Sequence, residues 1–352
     1  MNETLSMAVI GCGAITENSY LPALAANRKW RQASWLVEPN VGRGRAMAER
    51  FGIPPQKVVN DLAALPPTIR LAINATPNHL HCPTTLAMIE RGAHVLVEKP
   101  FAETAEDART MLKAAARRCV LSVNQSRRLA PSNILARDIL RSGRIGQVRK
   151  IVWHEGRKFD WPSQSGFNFR PSPQGRPRGV FLDIGIHVID LMCWWLDARP
   201  SVLDFEMDGY GGPEASGAAI LKTEHTTIEI RLSHVVQLQN RFLIEGTNGA
   251  IRGATGDSDR IEMQSGMGPW RAVKAHDSGD KVRATSRLIE NVLAAAQGRE
   301  ALTIDAASTI APLEVIDELY GKAKDVLPAC YWDFVESTFP PKIQFDEAEK
   351  VA

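Results

Sequence analysis

The fold is decided by ten residues near the N-terminus, Met7-Ala8-Val9-Ile10-Gly11-Cys12-Gly13-Ala14-Ile15-Thr16. They begin with a short apolar run that stops at a glycine, which is typical of a buried strand, and helix-forming sequence follows from Ser19 to Asn27. In this setting Gly11 permits a tight turn, and Gly13 lets the backbone approach a pyrophosphate that lies on the helix N-terminus. The third position of such a loop is normally Gly or Ala, so we expect Thr16 to loosen the packing of helix on strand slightly.

The end of the second apolar run supports this interpretation. Trp35 to Val37 predicts a strand, and Glu38 ends it about 20 residues after the loop, where a carboxylate can accept hydrogen bonds from both hydroxyls of a ribose. A carboxylate there repels the 2′-phosphate of NADP, so we predict NAD as the cofactor. NADP is the alternative because Arg43 and Arg45 follow closely and could offset the preference for NAD. The simpler interpretation of these two arginines is that they are solvent-exposed charges on a helix. A doubly wound fold that binds no nucleotide is the other interpretation left open.

Strand-like and helix-like segments alternate through the first third of the chain. Further apolar runs are predicted to be strands at Leu71–Ala75, Val95–Val97 and Val120–Val123. The predicted helices are Arg43–Phe51, Pro83–Glu90 and Ala105–Arg118. This alternation is typical of a doubly wound parallel sheet with helices on both faces.

The pattern changes after Asn124. A strand is predicted from Val148 to His154, and a helix from Phe181 to Leu196. From Ser201 to Arg252 apolar and polar residues alternate, which predicts antiparallel strands with one face covered. We expect the other face to be apolar and uncovered by helices, and therefore to join subunits. Two amphipathic helices are predicted beyond it, at Ser286–Gln297 and Pro312–Lys324.

Composition argues against several classes of protein. The 352 residues suffice for two domains, and a net charge of +2 does not resemble the basic surface of a nucleic-acid binder. The N-terminus shows no basic segment with a cleavage site, and no apolar run is long enough to span a bilayer, so we expect a cytoplasmic protein without a membrane partner. The scattered cysteines suit reduced thiols better than disulfides or a zinc site, and we predict no metal; they are Cys12, Cys82, Cys119, Cys193 and Cys330.

A lysine stands where an open α/β sheet binds its ligands. Lys99 lies two residues after Val97, the end of the strand Val95–Val97. Open α/β sheets bind ligands beyond the carboxyl ends of their strands. A lysine at this position can donate to a substrate oxygen and stabilise negative charge as it forms.

The predicted helix Phe181–Leu196 carries a polar face. Asp183 and His187 are four residues apart and share that face, with Asp190 one turn on. A histidine can exchange a proton near neutral pH, and a nearby carboxylate can orient it. A structural Asp–His pair explains the same pattern equally well.

Four stretches, in this order along the chain, resemble the Gfo/Idh/MocA family of oxidoreductases. They are Val9-Ile10-Gly11-Cys12-Gly13-Ala14-Ile15, Ala75-Thr76-Pro77-Asn78-His79-Leu80-His81, His94-Val95-Leu96-Val97-Glu98-Lys99-Pro100 and Leu182-Asp183-Ile184-Gly185-Ile186-His187-Val188-Ile189-Asp190-Leu191. The resemblance implies an α/β fold of two domains. Residues 1–123 would form a dinucleotide-binding Rossmann domain with a doubly wound parallel sheet. Residues 124–352 would form a substrate-binding and oligomerisation domain with a large, mostly antiparallel open sheet, in a homodimer or homotetramer.

The resemblance also implies roles for individual residues. The family's catalytic lysine, aspartate and histidine fall on Lys99, Asp183 and His187, which we also expect to bind the substrate together with Arg127. Positions that line the nicotinamide ribose fall on Thr76, Asn78, His81 and Glu98. The cofactor-binding set is then Gly11, Gly13, Ala14, Ile15, Glu38, Arg43, Thr76, Pro77, Asn78, His81, Glu98 and Lys99. Gly179-Val180 departs from the glycine pair of many members, and Asn124 stands where glycine often follows the valine.

The implied activity is hydride transfer between a nicotinamide and a hydroxyl or ketone of a sugar, sugar derivative or cyclitol. His187 would take the hydroxyl proton, Lys99 would polarise the oxygen, and Asp183 would position substrate and histidine. One alternative is a non-catalytic regulatory protein that senses NAD(P) on the same fold. Another is a glycosidase that uses tightly held NAD for redox-assisted cleavage.

The irregular stretch before the polar helix is a candidate substrate loop. Trp161 can lie against a sugar face, and arginines on the loop can meet a phosphate or carboxylate; these are Arg157, Arg170 and Arg176. A solvated loop anchored by its tryptophan is the alternative. The tail from Val326 to Ala352 is interpreted as a surface-packed extension.

Overall fold

The first sheet of the protein has six strands, all parallel. The computed structural model describes residues 6–159, 178–256, 259–275 and 280–326. The strands of this sheet are β1 (Met7–Ile10), β2 (Ser34–Val37), β3 (Val58–Val59), β4 (Leu71–Asn74), β5 (His94–Val97) and β6 (Leu121–Val123). Their order is β3-β2-β1-β4-β5-β6, and every neighbouring pair runs parallel. This is the Rossmann order, in which a ligand lies at the carboxyl ends of the strands where the order reverses, between β1 and β4.

Helices connect these strands close to the predicted positions. A π-helical turn, Thr16–Tyr20, leads into the first of them. The helices are α1 (Leu21–Ala26), α2 (Arg28–Ala33), α3 (Val41–Phe51), α4 (His81–Glu90) and α5 (Ala105–Ala115). Local sequence sets both ends of α3: the side chain of Asn40 caps its start, and Gly52, with φ +67°, ends it.

A nine-stranded sheet follows. Its strands are β7 (Val148–Gly156), β8 (Ser201–Met207), β9 (Ser216–Lys222), β10 (Thr227–Ser233), β11 (Arg241–Gly246), β12 (Gly249–Ala254), β13 (Arg260–Ser265), β14 (Arg271–Lys274) and β15 (Lys324–Asp325). Their order is β14-β13-β12-β11-β7-β10-β9-β8-β15. Two pairs, β10 with β7 and β15 with β8, are parallel and the others antiparallel. The predicted fold class, a Rossmann sheet followed by a large, mostly antiparallel sheet, is confirmed.

Four longer helices accompany the second part of the described chain. They are α6 (Pro131–Arg141), α7 (Ile186–Leu196), α8 (Lys281–Ala296) and α9 (Ile310–Lys322). A π-helical turn, Phe181–Gly185, precedes α7, and α6 lies where no helix was predicted. Leu288, Ile289 and Val292 of α8 are buried in the same apolar cluster as Leu24 and Leu36 of the first sheet's layer. The chain therefore returns to the first domain after residue 280, and the division at residue 123 stays a prediction.

The two faces of the nine-stranded sheet differ in polarity. Along β10, Ile228, Ile230 and Leu232 are buried in the core, whereas Glu229 and Arg231 between them are half-buried on the opposite face. That opposite face carries ion pairs between neighbouring strands, Lys150–Glu229 at 2.8 Å and Arg252–Glu262 at 2.6 Å. The same face also carries Val152 and Ile220, which lie beside Glu229 on the neighbouring strands, so within the described residues this face is mixed rather than uniformly apolar.

Candidate active site

One cavity of about 990 Å³ lies at the carboxyl ends of the first sheet and extends to the second domain. It gathers segments that are far apart in sequence: the glycine loop, the ends of β2, β4 and β5, and the π-helical turn that leads into α7. All the predicted site residues within the described ranges line it. Trp161, together with Arg170 and Arg176, lies outside the described residues.

The glycine loop combines a closed turn with an open helix start. Gly11 has φ +91°, and a Cβ on it would lie 2.6 Å from the carbonyl oxygen of Ala75, so only glycine fits. A Cβ on Gly13 would meet no atom within 4 Å. The hydroxyl of Thr16 donates to the Gly11 carbonyl at 2.7 Å, so this residue ties the helix to the loop rather than loosening it. Space in front of Gly13 at a helix start suits the phosphates of a dinucleotide.

A carboxylate and a guanidinium border the adenosine end of this cavity. Glu38 accepts from the backbone N–H of Cys12 at 2.9 Å and of Asn40 at 3.1 Å, which fixes its carboxylate beside the loop. Arg43 donates through Nε to the Cys12 carbonyl at 2.5 Å. Both side chains are thus held at the loop by backbone groups, and the residues present fit the nicotinamide dinucleotide that the loop predicts.

Two residues predicted to lie at the nicotinamide ribose, His81 and Glu98, make polar contacts with other groups of the chain. His81 is buried, with Nδ1 2.7 Å from the Pro100 carbonyl and Nε2 2.9 Å from the Thr76 carbonyl, and burial lowers its pKa to about 4. Glu98 accepts from the Tyr20 hydroxyl and the Asn124 amide, both at 2.6 Å, and burial raises its pKa. Asn124, which departs from the family's glycine, therefore holds the carboxylate next to Lys99.

The predicted lysine and aspartate meet across the two domains. Lys99 Nζ lies 2.6 Å from Asp183 Oδ1 and donates to the Asp183 carbonyl at 3.0 Å. Burial of Asp183 would raise its pKa, but the hydrogen bond from Lys99 and the charges of Lys99 and Arg127 lower it. Asp183 is therefore ionised where it contacts Lys99.

His187 is oriented by a residue that the sequence did not single out. Its Nδ1 lies 3.0 Å from Oε1 of Gln125. A carboxamide oxygen only accepts, so Nδ1–H is the donor in this contact. The predicted partner Asp183 is engaged with Lys99 instead. Asp190, on the predicted polar face, forms a buried bidentate pair with Arg128 at 2.6 and 2.7 Å.

Arg127 lines the cavity as predicted, in a bidentate pair. Its two terminal nitrogens each lie 2.7 Å from an oxygen of Glu155, and Trp153 Nε1 also donates to Glu155 at 3.1 Å. Such a pair presents donors and acceptors together at the same place, which matches the hydroxyl groups of a polyol.

The chain belongs to the Gfo/Idh/MocA oxidoreductase family. Residues 5–125 match its oxidoreductase family model with an NAD-binding Rossmann fold, and residues 134–252 match its C-terminal domain model. The four motifs of this family therefore meet in one cavity, and its NAD-binding domain is the first sheet with its helices.

Individual members are similar over part of the chain. A 1,5-anhydro-D-fructose reductase of Ensifer adhaerens is 36% identical over 171 residues, which are 47% of this chain and 49% of that protein. A scyllo-inositol 2-dehydrogenase (NADP(+)) of Bacillus subtilis is 32% identical over 199 residues, 53% of this chain and 51% of that protein. The alignments thus span about half the length of these relatives. The aldose-aldose oxidoreductase of Caulobacter crescentus, complexed with glycerol, has a similar fold, with a TM-score of 0.77 at 22% identity over 91% of this chain and 97% of that one.

Several cavity residues were missed by the sequence patterns that identify family members. Glu155, Phe159 and His234 line the cavity beside the catalytic candidates, and the buried Gln125 contacts one of these candidates, His187. Gln125 and Glu155 follow or end predicted strands, which is the one signal that singles them out. His234 comes directly after β10, at the end of a strand of the second sheet.

Within the described ranges, no helix has the length and apolar character needed to cross a membrane. The same residues contain no cluster of three or more His, Cys, Asp or Glu side chains arranged to hold a metal ion.

Proposed function

We propose that the protein is an NAD(P)-dependent dehydrogenase or reductase that moves a hydride between nicotinamide and a hydroxyl or ketone carbon of a sugar, sugar derivative or cyclitol. The observation that carries the proposal is the contact of Lys99 with Asp183, at 2.6 Å, in the same cavity as the glycine loop. It brings a proton donor of one domain to a carboxylate of the other beside the predicted nicotinamide site. The names of the relatives, a reductase and a dehydrogenase of a sugar derivative and a cyclitol, support this class of substrate.

The chain's own residues supply acid, base and orientation. The bound nicotinamide would supply the hydride acceptor or donor. Lys99, paired with Asp183, donates to the reacting oxygen and stabilises the negative charge that develops there. His187 accepts the hydroxyl proton on Nε2, since Nδ1–H is directed to Gln125. Arg127 and Glu155 hold the neighbouring hydroxyls of the substrate.

We further propose NAD as the preferred cofactor. The carboxylate of Glu38 is fixed at the loop by two backbone N–H groups and would repel a 2′-phosphate. Arg43, the one nearby cation within the cavity's described lining, is directed to the Cys12 carbonyl.

The direct test is a screen of sugars, cyclitols and nucleotide sugars with NAD and with NADP, followed by the absorbance of reduced nicotinamide. We expect turnover with a neutral polyol and a higher kcat/KM with NAD. The Lys99→Ala variant should lower turnover about 100- to 1,000-fold while binding NAD nearly as well. A wild-type protein that binds NAD but oxidises or reduces none of these compounds would contradict the proposal.

Assembly and location are part of the same proposal. We expect a homodimer or homotetramer formed through the second, mixed face of the nine-stranded sheet, in the cytoplasm. A monomer in light scattering at micromolar concentration would contradict the assembly.

A further inference from the structure

A second histidine, His234, is held rigidly in the cavity beside Asp183. Its backbone N–H donates to the Ala215 carbonyl at 2.8 Å, and its carbonyl accepts from Phe159 at 2.7 Å. Its ring is buried and stacks on Phe159, with ring centroids 4.9 Å apart and an angle of 26° between planes. The ring therefore has a fixed position at the end of β10, unlike a surface side chain.

The two oxygens of Asp183 have different partners. Oδ1 lies 2.6 Å from Lys99 Nζ, and Oδ2 lies 3.4 Å from His234 Nε2. The terminal torsion of an aspartate carboxylate ordinarily rotates easily. When both oxygens are in contact with other groups, this rotation would break at least one of the contacts. His234 thus opposes rotation of the carboxylate that pairs with Lys99.

The charge state of His234 suits this arrangement. Burial lowers its pKa, as do the charges of Lys99 and Arg157, although Asp183 and Glu155 raise it. A neutral imidazole in contact with Oδ2 leaves the negative charge of Asp183 to Lys99. An imidazolium would compete with Lys99 for that charge.

We propose that His234 is a positioning residue, which holds Oδ2 of Asp183 so that Oδ1 stays on the Lys99 ammonium. This inference rests on the proposed function for its catalytic meaning, but the contacts that it concerns can be tested without a substrate. Loss of His234 should free the Asp183 carboxylate, and Lys99 would then spend more time unpaired as a reactive amine.

Competitive acetylation of the ligand-free protein measures this directly. Trace acetic anhydride at pH 8 acetylates lysines, and peptide mass spectrometry gives the rate at Lys99 relative to the exposed Lys113. We expect His234→Ala to raise the relative rate about threefold or more, and His234→Gln, which keeps an N–H near the position of Nε2, to restore most of the wild-type value. The matched control is His225→Ala, because His225 lies at a similar distance, 3.5 Å, from Glu224 on the surface.

Kinetics separate positioning from substrate binding once a substrate is known. A positioning role predicts that His234→Ala lowers kcat about 10- to 100-fold with little change in KM, and that His234→Gln recovers it. An unchanged Lys99 acetylation rate in folded His234→Ala would overturn the inference. So would a raised KM with unchanged kcat, which would make His234 a substrate contact. If the wild type turns over no sugar or cyclitol, the proposed function fails, while the acetylation result still decides the role of His234.

Discussion

Two helix N-termini face the same cavity, and they differ in what lies next to their backbone. Each begins with a five-residue π-helical turn, Thr16–Tyr20 after the glycine loop and Phe181–Gly185 before α7. At the first, a Cβ on Gly13 would meet no atom within 4 Å. At the second, the carboxylate of Glu214 accepts from the backbone N–H of Gly179 at 2.8 Å and of Phe181 at 2.9 Å.

The two helices differ in how the attraction between a helix N-terminus and an anion is used. Free N–H groups at a helix N-terminus attract an anion. At the first helix the space beside Gly13 is open, whereas the protein's own buried carboxylate occupies the start of the second helix, and Tyr320 also contacts that carboxylate at 2.6 Å. The second helix is thus anchored, and its contribution to the cavity is its side chains, Asp183 and His187, rather than its N–H groups.

The largest expected effect tests whether the second helix acts through its side chains. His187→Ala removes the proton acceptor, so turnover should fall roughly 100- to 10,000-fold and the neutral-pH limb of the rate profile should change. NAD affinity should fall little, because the glycine loop is untouched. Steady-state kinetics across pH and calorimetric titration with NAD measure the two quantities. Wild-type turnover in folded His187→Ala and Lys99→Ala variants would mean that these residues are structural.

The next effect tests whether the first helix start is open for a ligand. Gly13→Val should fold normally, since its side chain enters open space, but it should weaken NAD binding about tenfold or more because the space is that of the phosphates. Calorimetric titration gives the affinity and thermal melting gives the stability. Gly321→Val is the control, because a Cβ at Gly321 also meets no atom within 4 Å but lies outside the cavity lining. Equal NAD affinity in Gly13→Val and wild type would place the phosphates elsewhere.

The same comparison shows what sequence can predict. The open helix start was predictable because its signals, a strand, two glycines and the helix, are contiguous between Met7 and Tyr20. The strand alternation likewise predicted the fold class, and the family's motifs predicted Lys99, Asp183 and His187. Which of these candidate catalytic side chains would pair with each other was not predictable, since that depends on how the domains meet.

The anchored helix start was missed for the same reason. Glu214 lies 35 residues from the Gly179 amide that it contacts, and His234 reaches Asp183 only through the register of β10 in its sheet. A single acidic residue in a loop before β9 gives no pattern to detect. The mixed polarity of the second sheet's other face was not predicted although its alternation was recognised, because burial of one face does not fix the composition of the other.

The smallest expected effect is on stability, and it tests the contacts of the Glu214 carboxylate that anchor the start of the second helix. Glu214 is 1% exposed, and Glu214→Gln places an amide N–H₂ against one of the backbone N–H groups that the carboxylate now accepts from. One buried donor then lacks an acceptor, so the free energy of unfolding should fall by about 1 to 3 kcal/mol, measured by urea titration. Turnover should fall less than with His187→Ala, and NAD affinity should not change. The matched control is Glu318→Gln, which also loses a carboxylate that accepts a backbone N–H, from Val202 at 3.0 Å, but at a partly exposed site where the cost should be below about 1 kcal/mol. If Glu214→Gln instead leaves stability unchanged and weakens NAD binding, the second helix start takes part in ligand binding as well, and the contrast between the two helices fails.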